Sequence, residues 1–244
     1  MLVSLDCGNS QAKLAYHNES GAVTNVITLS YEIDITQELA NLLQNSELIY
    51  CTVTQSPDLV KWLKQNAPNK RINATWNFPF KIEYATPSTL GADRLAAMAG
   101  ARAQFANSAL LIIDIGTCIT YDFINETNTY IGGAISPGID LRLRAMNQFT
   151  NQLPYKALPT DYQVDIIGNS TQNCLWSSAL YGTLFEIDSY IKTLTPSGEF
   201  NVVLTGGSAK YLANKLECNT FVAPNLNHIG LHKIYELNAE RFKH

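Results

Sequence analysis

One short pattern occurs twice in this chain at a fixed distance, and it constrains the fold more than any other feature. An apolar run closing on Asp-x-Gly and a small polar residue appears as Leu2-Val3-Ser4-Leu5-Asp6-Cys7-Gly8-Asn9 and again as Leu110-Leu111-Ile112-Ile113-Asp114-Ile115-Gly116-Thr117. Asp6 and Asp114 stand 108 residues apart, as do Gly8 and Gly116. Each run leads into a second strand-like segment, residues 12–16 and 119–123, which predicts a β-hairpin with the acid and the glycine at its turn. A single Asp-x-Gly turn is commonplace. Two in register divide the chain into two related halves, with a boundary near residues 107–109. Such a turn suits phosphate: glycine lets an anion approach the backbone, N–H groups and Asn, Ser or Thr donate, and the carboxylate can hold a cation directly or through water.

The rest of the chain alternates strand and helix signals, which predicts an α/β fold. A third strand is expected over 23–29. An amphipathic helix over 34–44 follows, with Ile35, Leu39, Leu42 and Leu43 on one face behind Asp34 as N-cap. Next come a strand at 48–53, a helix at 57–65 with Pro in its first turn, and a strand ending near Tyr84. Helices are expected over 92–105, 138–149 and 171–194, the last with a possible break at Gly182. The strand 202–204 enters Thr205-Gly206-Gly207, and helices over 208–216 and 227–242 complete the chain.

Composition excludes several classes. With 17 Lys+Arg against 21 Asp+Glu and no basic cluster, the electrostatic footprint of a nucleic-acid binder is missing. Residues 95–116, the most apolar stretch, are interrupted by Arg102, Gln104, Asn107 and Ser108, so no membrane span is expected. Residues 1–6 lack the basic and long apolar regions of a signal peptide, and a soluble cytoplasmic protein is expected. The five cysteines are scattered, never spaced as Cys-x-x-Cys, and read as free thiols. There is no Gly-Lys pair for a Walker-A loop, no Gly-x-Gly-x-x-Gly and no Gly-x-Ser-x-Gly elbow. His228 and His232 are four apart, but Ile229 stands where a zinc peptidase needs Glu, so a structural pair is expected.

Three further segments carry possible chemistry. Leu90-Gly91-Ala92-Asp93-Arg94 opens a helix, where a carboxylate complements the dipole and an arginine opposes it. Asp93 is therefore either a dipole-complementing acid or a general base, and Arg94 in the second case holds an anion; the pattern leaves both open. Gly132-Gly133-Ala134-Ile135-Ser136-Pro137-Gly138 reads as a loop before a helix, or as backbone pressed against a substrate. Thr205-Gly206-Gly207 is either a plain turn or a nucleotide contact.

Taken together, Asp6-Cys7-Gly8-Asn9-Ser10-Gln11-Ala12-Lys13, Tyr84 with Gly91-Ala92-Asp93-Arg94, Asp114-Ile115-Gly116-Thr117, residues 132–138 and Thr205-Gly206-Gly207 resemble the motifs of type III pantothenate kinases. That family lies within the superfamily of acetate and sugar kinases, Hsp70 and actin. The resemblance implies two duplicated ribonuclease-H-like (actin-like ATPase) domains, residues 1–108 and 109–244, with an interdomain nucleotide cleft. It also implies ATP-dependent phosphorylation of pantothenate, the first step of coenzyme A synthesis. Asp93 is then the catalytic base, and Tyr84, Gly91, Ala92, Asp93, Arg94 and Thr171 bind pantothenate. Residues Asp6, Cys7, Gly8, Asn9, Ser10, Gln11, Ala12 and Lys13, with Thr117, bind ATP. Asp114 binds a monovalent cation, K⁺ or NH₄⁺, and Mg²⁺ lies near Asp6. A homodimer is implied as well. Ser10 replaces the family's usual Thr and keeps the hydroxyl, while Cys118 replaces the common Ala. Cys7 and Cys118 flank the loops and are expected to make activity sensitive to thiol oxidation.

Two other readings share the hairpins: an actin-like kinase for another small hydroxy or carboxylic acid substrate, and a nucleotide-binding regulatory protein without turnover. Intact Asp6, Asp93, Arg94 and Asp114 weigh against the second.

Overall fold

A computed structural model describes residues 1–31, 35–54, 56–106, 108–159, 161, 163–194 and 199–242. The chain forms two compact units, Met1–Leu110 with Asp122–Gly132 and Ala223–His244, and Leu111–Tyr121 with Gly133–Val222. Packing and repeat thus draw different lines through the sequence, because the duplicated motif divides it at residue 108.

In the first unit the elements run β1 (Leu2–Cys7), β2 (Gln11–His17), β3 (Val23–Ser30), α1 (Ile35–Leu42), β4 (Glu47–Thr52), α2 (Pro57–Asn66), β5 (Lys81–Ile82) and α3 (Ala92–Gln104). They form a sheet of order β3-β2-β1-β4, with β1 antiparallel to β2 and parallel to β4. β1 is an inner strand, hydrogen-bonded on both edges. Its period of two separates its two faces: Val3, Leu5 and Cys7 join Ala12, Leu14, Leu48 and Tyr50 in a core with Leu39 of α1 and Leu59 of α2, while Ser4 and Asp6 point the other way. Each fully buried Leu or Val in that core contributes about 1.5–3 kcal/mol.

The polar face of β1 lies under α7 (Leu226–Leu237), which also packs on β4 and most closely on α3. The helix pair is set by two glycines. A β-carbon on Gly230 would overlap the Ala96 carbonyl, and one on Gly100 would overlap the Leu226 carbonyl. With hydrogen in place of side chains at the crossing, the two backbones touch.

The remaining elements are β6 (Ala109–Ile115), β7 (Cys118–Ile124), β8 (Thr129–Pro137), α4 (Ile139–Gln148), α5 (Thr171–Leu194), β9 (Phe200–Thr205), α6 (Ala209–Ala213) and β10 (Phe221–Val222). The second sheet has the order β10-β9-β6-β7-β8-β5.

Most expected elements are present within a residue or three. Asp34 and Asn107 lie outside the described residues. Of the glycine-rich segment 132–138, expected as a loop before a helix, residues 132–137 are the second half of β8, where Ile131, Gly133, Ile135 and Pro137 alternate outward as exposed positions, and Gly138 is the N-cap of α4. α5 runs without a break through Gly182: a single helical glycine costs about 1 kcal/mol, and nine of its other residues from Leu175 to Ile191 are buried. The C-terminal helix expected over 227–242 stops at Leu237, and a 3₁₀ turn occupies Ala239–Phe242.

Candidate active site

In the first hairpin, Gly8, Asn9 and Ser10 form the turn, closed by the Gly8 N–H on the Gln11 carbonyl at 3.1 Å. The Tyr31 hydroxyl anchors it by donating to the Gly8 carbonyl at 2.9 Å. Asn9, Ser10 and Gln11 are exposed. Strand register then builds a row on the sheet's polar face. Asp6 is level with Lys13 of β2 and with Cys51 of β4, and directly paired residues share a face. The Cys51 thiol donates to Asp6 Oδ1 at 3.2 Å, and Asn227 Nδ2 of α7 donates to Asp6 Oδ2 at 2.9 Å. Cys51 is fully buried; burial first, then the charges of Asp6 and Asp93, keep it a neutral thiol.

Strand alternation corrects one expectation. Cys7 is one residue from Asp6 and so faces the apolar core, fully buried, with its thiol pushed far up by burial. It is no accessible thiolate. Cys118, at the start of β7, is half-buried.

The opening of α3 gathers the second set of residues. Asp93 folds back on its own helix, its Oδ1 accepting the Arg94 N–H at 2.9 Å, which is the dipole-complementing role. Its carboxyl is nonetheless held above the usual carboxylate range, mainly by burial, with the charges of Asp6 and Asp122 adding to the rise. A carboxyl raised this way is better matched to accepting a proton near neutral pH. The two sequence readings of Asp93 are therefore compatible.

Arg94 is buried, and the sequence showed no partner for it. The structure supplies Asp122 of β7: Arg94 Nε donates to Asp122 Oδ1 at 3.0 Å and Nη2 to the same oxygen at 2.6 Å. Nη2 also donates to the Tyr130 hydroxyl at 2.8 Å. Tyr84, half-buried, sets its ring 5.6 Å from that of Tyr130. Tyr84, Gly91, Ala92, Asp93 and Arg94 are thus brought together, and Asp122 and Tyr130 hold the arginine. The signal for Asp122 was present: an acid in the strand Ile119-Thr120-Tyr121-Asp122-Phe123-Ile124 has to be buried with a cation.

The second unit assembles its own glycine turns. Gly116 and Thr117 form the exposed tip between β6 and β7, with the Gly116 N–H on the Cys118 carbonyl at 3.0 Å. The Gly138 N–H donates to the Thr117 carbonyl at 2.9 Å, and a β-carbon there would overlap the Gly116 carbonyl. Gly206 has φ +92°, and a β-carbon on it would lie 2.5 Å from both Asp114 Oδ1 and the Ile115 carbonyl. The tip of the second hairpin, the start of α4 and the turn after β9 therefore converge on Asp114-Ile115-Gly116-Thr117. Thr171 is exposed at the first position of α5.

His17, His228 and His232 fall in the first unit and are linked. The Ser4 hydroxyl lies 2.8 Å from both His17 Nε2 and His228 Nδ1, and His17 Nδ1 lies 3.1 Å from the Gly21 carbonyl. A carbonyl only accepts, so neutral His17 carries its proton on Nδ1 and accepts from Ser4 at Nε2. Ser4 in turn accepts from His228 Nδ1–H, which leaves His228 Nε2 a bare acceptor; it is buried and has no partner among the described residues. His232 stacks obliquely on His17, 5.2 Å away. Among the described residues, no group of three or more His, Cys, Asp or Glu side chains could cage a metal.

The chain thus carries paired Asp-x-Gly hairpins on a mixed α/β frame. Solved structures share the fold. A Campylobacter jejuni chain named for the Baf family of transcriptional activators superposes with a TM-score of 0.61 at 22% identity, covering 98% of this chain and 99% of its own. A ROK family glucokinase from Streptomyces griseus, in complex with glucose and AMPPNP, gives 0.53 at 11% identity over 98% and 99%. The family model for type III pantothenate kinase matches residues 2–193. A Flavobacterium psychrophilum type III pantothenate kinase is 36% identical over 242 residues, 97% of this chain and 99% of the relative. The chain belongs to the type III pantothenate kinase family. Its activity is the ATP-dependent phosphorylation of pantothenate to 4′-phosphopantothenate, which opens coenzyme A biosynthesis. No helix among the described residues is long and apolar enough to cross a membrane.

Proposed function

We propose that Asp93 is the base of this kinase, accepting the proton of the pantothenate primary hydroxyl as the γ-phosphoryl group is transferred. The observation that carries the reading is its carboxyl, raised by burial at the start of α3 and neighboured by Asp6 and Arg94. Tyr84, Gly91, Ala92 and Arg94 line the substrate pocket, with Arg94 held at a fixed angle by Asp122. Thr171 is a further substrate contact. The exposed donors of Asn9, Ser10 and Gln11, the backbone of residues 6–13 and Thr117 bind ATP phosphates. Phosphoryl transfer depends mainly on positioning and charge neutralisation, so fixed donors and a single base suffice.

The residues fit the expected cations. Mg²⁺ in kinases is held by one or two carboxylates together with substrate phosphates, and Asp6 retains lone pairs beyond its two hydrogen bonds. Asp114, beside the Ile115 carbonyl, offers the oxygen donors that K⁺ or NH₄⁺ requires. When bound, these ions offset phosphate charge. We further propose a homodimer, supported by the exposed apolar residues Ile135, Phe149, Ile167 and Phe185. A cytoplasmic location and duplicated domains of 1–108 and 109–244 complete the reading.

The test is ADP release from ATP, Mg²⁺ and K⁺ with and without pantothenate. Wild-type protein turns over only with pantothenate, and Asp93→Asn loses roughly 10²–10⁴-fold in kcat while keeping its fold. A variant within tenfold of wild type removes Asp93 from the base role.

A further inference from the structure

The hydrogen bonds around Asp6 are not those of a free loop carboxylate. Its two oxygens are taken separately, Oδ1 by the Cys51 thiol and Oδ2 by the Asn227 amide. The donors come from opposite sides, Cys51 from the neighbouring parallel strand and Asn227 from the first turn of α7. A carboxylate bonded at both oxygens cannot rotate about its last torsion without breaking one bond.

Asn227 has little else to do. Its side chain makes one hydrogen bond among the described residues, the one to Asp6, and its buried Oδ1 has no partner. Because a carboxylate only accepts, that single bond also fixes which end of the amide faces Asp6. Most buried side-chain amides that serve folding have both ends satisfied, so an end left without a partner calls for a reason. The residues on either side of Asn227 do serve packing: Leu226 is fully buried and His228 joins the Ser4 network.

We propose that Asn227 and Cys51 are positioning residues of the kinase, clamping the Asp6 carboxylate in the orientation that receives the nucleotide's phosphates and their magnesium. This rests on the reading of Asp6 as the phosphate-loop carboxylate. The clamp acts on the nucleotide side of the reaction and leaves the pantothenate pocket untouched. Cys51 contributes as a neutral donor, so a hydroxyl can replace it and a methyl cannot.

The experiment compares Asn227→Ala, Cys51→Ser, Cys51→Ala, Asp6→Asn and the double variant Asp6→Asn/Asn227→Ala. It reads kcat, KM for pantothenate and for ATP, calorimetric binding of Mg-ATP, and melting temperature. Losing one hydrogen bond to a charged group predicts a drop of roughly tenfold or more in kcat or in Mg-ATP affinity for Asn227→Ala. Pantothenate KM stays within about twofold and Tm within a few degrees. Cys51→Ser stays near wild type while Cys51→Ala falls; should Cys51→Ala misfold, Asn227→Ala and the double variant decide alone. The double variant is no worse than Asp6→Asn, because Asn227 acts only through Asp6. Asn227→Ala matching wild type in kcat and Mg-ATP binding, or additive losses in the double variant, overturns the clamp while leaving the kinase reading intact. Asp6→Asn with full activity overturns the role of Asp6 itself, and the clamp falls with it.

Discussion

The buried pair Arg94–Asp122 permits the most quantitative test. The guanidinium is 7% exposed and the carboxylate 1%, and they share two close N–H···O bonds, at 2.6 and 3.0 Å. Asp122→Asn keeps the shape and one acceptor but removes the charge, leaving a guanidinium buried beside a neutral amide and the Tyr130 hydroxyl. Breaking a buried pair from one side costs about 3–5 kcal/mol, and the retained acceptors place this variant near the lower figure. In a chain of this size each kcal/mol moves the melting midpoint by roughly 2–4 °C, so the expected fall is about 6–12 °C. Scanning calorimetry measures it. The contrasting variant is Arg94→Met/Asp122→Leu, which removes both charges; buried pairs replaced by apolar residues of similar volume hold or gain stability. That protein should melt within a few degrees of wild type yet lose pantothenate turnover. A fall below 2 °C for Asp122→Asn, or equal falls for the single and double variants, refutes the view that the charge of Asp122 is present for Arg94.

Two further outcomes follow from the packing around α7. Burial holds His228 down to about 4, with the Asp6 charge opposing that shift and His17 and Lys13 assisting it. Between an ordinary histidine value near 6.5 and 4 the unfolded chain takes up a proton that the folded chain refuses, so stability present at neutral pH is lost as pH falls through that window, by up to roughly 3 kcal/mol. Denaturant titrations at pH 7.5 and 4.5 should show a shallower loss for His228→Leu than for wild type; identical losses remove His228 as the cause. Gly230→Ala forces a β-carbon into the Ala96 carbonyl and should cost at least about 3 kcal/mol. A soluble variant with unchanged Tm would show that the helices can part.

Much of the fold was legible because its signals are local. Alternation in β1, the amphipathic face of α1 and the Asp-x-Gly turns each depend on neighbours within a few residues. The misread elements failed where glycine carries two meanings. At 132–138 its permissiveness indicated a loop, yet the ladder holding β8 is written in other strands. At Gly182 a poor helix former was outvoted by the buried residues around it. The candidate site was legible at Asp6, Asp93, Arg94 and Asp114, whose types stand out against apolar or small neighbours. Cys51, Asn227 and Tyr130 were not, because their roles come from strand register and from a helix more than 200 residues from Asp6. Cys7 shows that period two suffices to correct an error: adjacency to Asp6 in sequence means the opposite face in a strand.

The glycine crossing of α3 and α7 also sets an order of events during synthesis. α7 begins 122 residues after α3 ends, so the surface that accepts it emerges from the ribosome long before its cover. At ~5–20 residues per second that interval is roughly 6–24 s. Throughout it, Ser4, Asp6 and the bare flank of α3 wait without their lid, while residues 111–121 and 133–222 emerge. The Asp-x-Gly turn after β1 is therefore made well before the helix that covers the polar face of its strand, and a nascent chain stalled before residue 226 carries that turn and α3 without α7.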